Sequence, residues 1–254
     1  MRILLAPAKK MRVDTDTLAP DGIPVLLEKT ERLLTWLRSC SHSDLKTLWK
    51  CSDKIAEENC QRLSSMDLDR SLTPAILAYD GIAYQYMAPG VFSDDAFRYV
   101  QEHLRILSVF YGVLRPMDGV TPYRLEMQAK VTADGCRDLY DFWGDALYRQ
   151  ARDESGIFLD LASKEYSKAV RPYLTLDDTW ITCLFGEEEN GKVIQKGVYA
   201  KMARGEMVRF LAEGQVKDPE AMRQFDRLGF RYDPQRSTPT EYVFLRENQN
   251  TKRR

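Results

Sequence analysis

The sequence predicts a mixed α+β fold built as a single domain. Segments with apolar residues at three- and four-residue steps are interleaved with short apolar or strictly alternating runs bounded by Gly, Pro, Asn and Asp, so helices and strands are mixed along the chain. No Pro/Gly/Ser-rich linker and no repeat divides residues 1–246. A chain of 254 residues with 44% hydrophobic content can bury one sizeable core. Residues 247–254 read as a polar C-terminal tail.

Residues 3–6 form a short buried strand stopped by Pro7, and Lys9, Lys10 and Arg12 make the following loop basic. Residues 24–38 form a helix with Leu26, Leu27, Leu33, Leu34 and Leu37 inward, and 43–50 and 53–63 form two shorter helices, with Ser52 placed to cap the second. Residues 74–79 read as a buried strand, and Tyr84, Tyr86 and Phe92 after it as core aromatics. From 94 to 110, Phe97, Val100, Leu104 and Leu107 recur at helical spacing, and Gly112 is placed to stop that helix in the left-handed conformation. Pro116 holds Arg115 extended, and turns follow at 117–119 and 121–122. Tyr123, Leu125, Met127, Ala129 and Val131 alternate with Arg124, Glu126, Gln128 and Lys130, which predicts a strand with one buried and one wet face. Residues 138–151 form a helix containing Gly144, 157–161 a buried strand, and Ser163 caps a short helix carrying Lys164, Lys168 and Arg171. A hairpin joins 179–185 to 192–199 through Asn190-Gly191. The helix 199–212 has Tyr199, Ala203, Met207 and Phe210 as its core stripe, with Lys201, Arg204 and Arg209 off it. A further helix runs from Asp218-Pro219-Glu220 to Gly229, and 242–246 form the last strand.

The string LRILSVFYGVLRPMDGVTPYRLEM (104–127) resembles the signature of the YaaA family, bacterial proteins associated with resistance to peroxide stress. PAKK (7–10), SDKIAEEN (52–59), AILAYDGIAY (75–84), LYDFWGD (139–145), LASKEYSKAV (161–170) and YAKMARGEMVRF (199–210) match family blocks in order, so the resemblance covers nearly the whole chain. It implies helices around a mixed, barrel-like β-sheet, a positively charged cleft, a helix-hairpin-helix element and DNA binding in the oxidative stress response. Residues 94–127 are the preferred place for that element, ahead of the helix pair at 43–63, whose connection lacks a glycine to admit a phosphate closely.

Charge and motif content narrow the chemistry. Lys and Arg number 37 against 38 Asp and Glu, so a nucleic-acid site must be a local patch. Cys40, Cys51, Cys60, Cys136 and Cys183 form no CxxC pair, which argues against a disulfide framework or zinc knuckle and for a reducing, cytoplasmic setting. No apolar run is long enough for a signal peptide or a spanning helix, so no membrane role is expected. His42 and His103 stand beside no carboxylate at ligand spacing, so neither a metal nor a cofactor is expected. No GxSxG or GxGxxG occurs. Residues 186–192, GEEENGK, satisfy the glycine and lysine spacing of a P-loop. Val193, however, replaces the hydroxyl that would hold magnesium, and three glutamates would repel phosphate, so the motif reads as a hairpin turn.

The remaining chemistry is cationic. Lys9, Lys10, Arg105, Arg115, Arg124, Lys164, Lys168, Lys201, Arg204 and Arg209 fall in blocks shared with the family, and a mixture of guanidinium and ammonium groups converging on one groove suits a phosphate backbone. No helix presents Asn, Gln and Arg on one exposed stripe, so binding to duplex or distorted DNA is expected without sequence-specific readout. Any one of these cations has the competing fate of pairing with an acid. The alternative function is an enzyme acting on a nucleotide or other phosphorylated small molecule in the same cleft, with Glu126 or Asp145 as acid-base candidates near Tyr123 and Arg124. A long open cleft favours the first reading and a narrow pocket the second.

Overall fold

The computed structural model describes residues 1–247; residues 248–254, most of the expected tail, lie outside the described residues. In chain order the elements are β1 (Arg2–Leu5), β2 (Lys10–Met11), α1 (Leu27–Ser39), α2 (His42–Trp49), α3 (Asp53–Ser65), β3 (Thr73–Pro74), α4 (Ala75–Ala78), β4 (Tyr79–Asp80), α5 (Ile82–Met87), α6 (Asp94–His103), β5 (Leu104–Ser108), β6 (Gly112–Leu114) and β7 (Gly119–Val120). They continue with α7 (Leu139–Trp143), α8 (Ala146–Ala151), β8 (Ile157–Asp160), α9 (Lys164–Ser167), β9 (Thr179–Glu189), β10 (Lys192–Ile194), α10 (Gly197–Glu213), β11 (Phe230–Tyr232) and β12 (Glu241–Arg246).

Ile3, Leu4 and Leu5 are apolar on both sides of the pleat and fully buried, as a strand covered on both faces requires. The main sheet built on them runs β11-β12-β9-β8-β1-β5-β6, with β10 paired to β9. Its five inner strands are parallel, and β6, β10 and β11 are antiparallel. The fold is therefore the expected mixed one, with helices around one mixed sheet and a single contiguous core. The outermost strands do not pair with each other, which leaves the sheet open. From β1 the chain goes to β5 on one side, then returns to β8 on the other side and moves on to β9. The connections leaving the adjacent strands β1 and β8 thus diverge, and such a switch point leaves a crevice beyond the carboxyl ends of the two strands.

Several local expectations are corrected. The helix expected over 94–110 ends at His103, because Leu104–Ser108 pairs in parallel with β1. Gly112 does take a positive φ of 82°, but at the start of β6, in the turn from β5, and not at a helix end. Residues 123–131 keep the predicted alternation of burial yet form no strand; Ala129 N donates to Glu126 O and Val131 N to Ala129 O, so these backbone groups are satisfied locally. The expected strand 74–79 is mostly the turn of helix α4. Gly144, at φ 53° and ψ −136°, breaks the expected helix 138–151 into α7 and α8. Ser52 and Ser163 stand at helix starts but accept no capping bond through their side chains. The segment after Asp218 is two 3-10 turns, Pro219–Gln224 and Arg227–Gly229. Residues 94–127 hold one helix and three strands, so a helix-hairpin-helix does not lie there; the 43–63 region holds two helices, α2 and α3, joined by three residues. The GEEENGK segment is the hairpin turn expected, with Asn190 and Gly191 both at positive φ.

Helix α10 lies directly on α5. A Cβ on Gly205 would sit 1.9 Å from the Ala83 carbonyl oxygen, so only glycine lets the two backbones approach. Gly205→Ala is expected to cost about 3 kcal/mol or more in urea unfolding. Gly197→Ala, on the same helix with nothing within 4 Å of its added carbon, should stay within about 0.5 kcal/mol of the parent.

Candidate functional site

The crevice predicted by the sheet topology is occupied by a pocket of about 390 Å³. Its walls are the loop after β1 (residues 5–10), the segment after β8 (161–166), residues 80–84, residues 125–126 and the side chains of Lys201 and Arg204 on α10. The loop after β1 begins where Pro7 ends the strand. It is pressed onto Gly81, where an added Cβ would come within 2.6 Å of the Ala8 Cβ, and Tyr84 Oη donates to Ala6 O at 3.1 Å. The segment after β8 is folded by Asp160. Its carboxylate accepts from Ala162 N at 3.0 Å and from Ser167 Oγ at 2.8 Å, which turns α9 so that Glu165 and Tyr166 line the pocket.

The charges differ in how well they are matched. Lys9 Nζ lies 2.7 Å from Glu126 Oε1 and Lys10 Nζ 2.6 Å from Asp80 Oδ2, both lysines being exposed. Lys201 is exposed and makes no ion pair among the described residues. Arg204 Nε and Glu165 Oε1 are buried without a hydrogen-bond partner. Burial lowers the Arg204 pKa, opposed by the nearby Asp160 and Cys183. Burial also pushes Asp160 from the usual 3.8 up to about 6, although the bonds from Ser167 and Ala162 and the charge of Arg204 pull it down. Tyr166 is pushed up by burial, with smaller contributions from Tyr123, Glu165 and Glu126.

Of the residues singled out from sequence, the pocket brings together Lys9, Lys10, Lys201, Arg204 and Glu126. Lys164 and Lys168 lie in an adjoining depression that shares Glu165, and the Lys168 ammonium stands 4.7 Å from the centre of the Tyr140 ring. The others lie elsewhere. Arg105 is 6% exposed and donates to the carbonyls of Leu104 at 2.7 Å and Gln101 at 3.2 Å, its pKa lowered to about 10 by burial, so its guanidinium is spent inside the protein. Arg115 is exposed beside Arg105 and Asp118, away from the pocket walls, and Arg124 packs among side chains of α1, α2 and α3. Arg209 pairs with Glu213 at 2.7 Å and Asp145 with Arg149 at 2.8 Å, each within its own helical turn. The Tyr123 hydroxyl is buried against Tyr79 at 3.2 Å and Ser108 at 2.9 Å, which removes it as an acid-base group.

Sequence reasoning missed Asp160, Glu165, Tyr84 and Tyr166. Tyr84 was expected to be core and is 3% exposed, yet it is also a pocket wall. The available signal was position, since Asp160 lies near the end of the strand predicted over 157–161 and Glu165 and Tyr166 follow it closely. Among the described residues no three His, Cys, Asp or Glu side chains are grouped to hold a metal, and no helix is long and apolar enough to cross a membrane.

Residues 1–236 match the family described as Peroxide stress protein YaaA. The chain belongs to that family. It is 57% identical over 247 residues to a UPF0246 protein of Agathobacter rectalis, covering 97% of this chain and 99% of that one. It is 54% identical to a UPF0246 protein of Desulfitobacterium hafniense, over 97% and 98% of the two chains, and 51% identical to one of Lachnoclostridium phytofermentans over the full length of both. The protein is thus similar along nearly its whole length to UPF0246 proteins.

The raised pKa of Asp160 has a defined sign. The folded state holds this proton more tightly than the unfolded chain between pH 3.8 and about 6, so the contribution to stability is present below 3.8 and lost as pH rises through 6. Relative to Asp160→Asn, the parent should lose up to roughly 3 kcal/mol between pH 4 and pH 7. Urea unfolding of both proteins across that range checks this, and a difference that stays flat or grows with pH contradicts it.

Proposed function

We propose that this member of the peroxide-stress family is a non-sequence-specific DNA-binding protein that holds the phosphate backbone along a track of lysines leading from the crevice pocket. The observation that carries the reading is contiguity. The crevice pocket shares Glu165 with the depression bearing Lys164 and Lys168, and that depression shares Gln128, Ala129 and Lys130 with a third, which includes Lys50 at the end of α2. Lys50, Lys130, Lys164 and Lys201 along this path are exposed and make no ion pair among the described residues. Unpaired ammonium groups on a concave path suit a polyanion whose charges repeat, and they attract it locally although the net charge of the chain is only −1. In this reading Lys50 sits in the three-residue connection of the α2–α3 helix pair, which takes the role first expected of residues 94–127. Arg105, Arg115, Arg124 and Arg209 drop out of the binding set; Lys9 and Lys10 stay at its end, partly neutralised by Glu126 and Asp80.

A lysine that contacts phosphate releases counterions on binding, so affinity for duplex DNA should fall steeply with salt. Lys164→Ala and Lys201→Ala should each flatten the log-log salt slope by roughly one unit. Lys192→Ala, an exposed and unpaired lysine on the β9–β10 hairpin, should leave the slope unchanged. Titration of a labelled duplex at several salt concentrations decides it. Binding that is absent, or equal slopes for all three variants and the parent, rejects the proposal.

A further inference from the structure

Arg204 and Glu165 line the crevice pocket, each carries a buried polar atom without a hydrogen-bond partner, and both side chains are held where they are by the fold. Arg204 is brought in by α10, whose approach to α5 is fixed by Gly205. Glu165 is brought in by the turn that Asp160 and Ser167 lock. Leaving a buried charged donor or acceptor unsatisfied costs on the order of 1–3 kcal/mol or more, and native proteins leave few such groups. Here the two line one pocket but make no ion pair with each other among the described residues. A molecule that satisfies both must therefore offer an acceptor to Arg204 and a donor to Glu165.

The chemistry of the lining narrows that molecule. Lys201 precedes Arg204 by three residues on α10, so the two lie on the same side of the helix, and both line the pocket. A guanidinium and an unpaired ammonium together suit a phosphate. The Glu165 carboxylate accepts, and the amino group of a nucleobase is a donor that carboxylates accept from. The lining also includes the apolar Leu5, Ala8, Ile82 and Leu161 and the tyrosines Tyr84 and Tyr166. A polyol phosphate would leave hydroxyls against that apolar lining, and inorganic phosphate would bring nothing apolar to it; a nucleotide has a flat base for the lining and an amino group for Glu165. The volume of about 390 Å³ is in the range that buries a small organic ligand.

We infer that this pocket binds a single nucleotide unit, with its phosphate on Lys201 and Arg204 and the amino group of its base donating to Glu165. The unit has two possible sources, a free mononucleotide or a nucleotide turned out of a DNA strand lying on the lysine track. Only the second rests on the DNA-binding reading.

The test is calorimetric titration of the full chain with adenosine 5′-monophosphate and cytidine 5′-monophosphate, alongside a duplex carrying 2-aminopurine at a mismatch, whose fluorescence rises when the base leaves the stack. One-to-one binding of either mononucleotide is expected, or a fluorescence rise on binding the duplex. For a bound purine nucleotide, the analogue without the amino group should bind about tenfold more weakly, and Glu165→Ala should erase that preference. The analogue comparison in the parent protein needs no variant and so decides the point even if Glu165→Ala does not fold. Mononucleotide binding without salt-sensitive duplex binding supports the pocket and rejects only the DNA reading. Salt-sensitive duplex binding with no mononucleotide binding and no fluorescence change overturns the pocket and leaves the DNA reading standing. Equal affinity for the nucleotide and its amino-free analogue also overturns it.

Discussion

Parallel pairing on both edges of β1 is the constraint on which the rest of the structure depends. Ile3 stands opposite Leu104 of β5 across one edge and opposite Leu159 of β8 across the other, with β1 itself almost fully buried. Parallel neighbours cannot be joined by a tight turn, so long connections carrying helices must leave each strand and cover the two faces. Because β5 and β8 lie on opposite sides of β1, the connections after β1 and β8 part from each other, and the space between them becomes the pocket. The site follows from strand order before any side chain is considered.

Within that frame the fate of each buried charge separates structural from binding roles. Arg105 and Arg204 are both desolvated arginines, and burial lowers the pKa of each. The guanidinium of Arg105 is met by two backbone carbonyls, whereas Arg204 Nε meets none. The first is a completed part of the core. The second keeps a buried nitrogen without a partner beside a cavity. Asp160 sits between the two cases, since its carboxylate is satisfied by Ser167 and Ala162 while its charge is still penalised by burial.

The cysteines bear on how a protein of a peroxide-stress family can act. Burial pushes the thiols of Cys40, Cys60 and Cys183 above their ordinary range, most strongly at Cys183. Rapid reaction with peroxide requires thiolate character and exposure, so these three are poorly suited to sensing it.

The sequence by itself determined the family, the mixed fold, the hairpin at Asn190-Gly191 and the basic loop after the first strand, because each rests on residues close together in the chain. Tertiary structure decided the rest. Residues 104–108 carry apolar side chains at helical spacing and equally fit a fully buried strand; the free edge of β1, about a hundred residues away in sequence, made them β5. The 123–131 alternation recorded burial faithfully, but the segment pairs with no strand and bonds its own backbone at Ala129 and Val131. The ten cations looked alike in sequence, since charge and type are local properties. Whether an arginine meets a carbonyl, an acid or an empty pocket depends on which distant backbone lies against it, and for Arg204 that was set by α10 resting on α5 at Gly205.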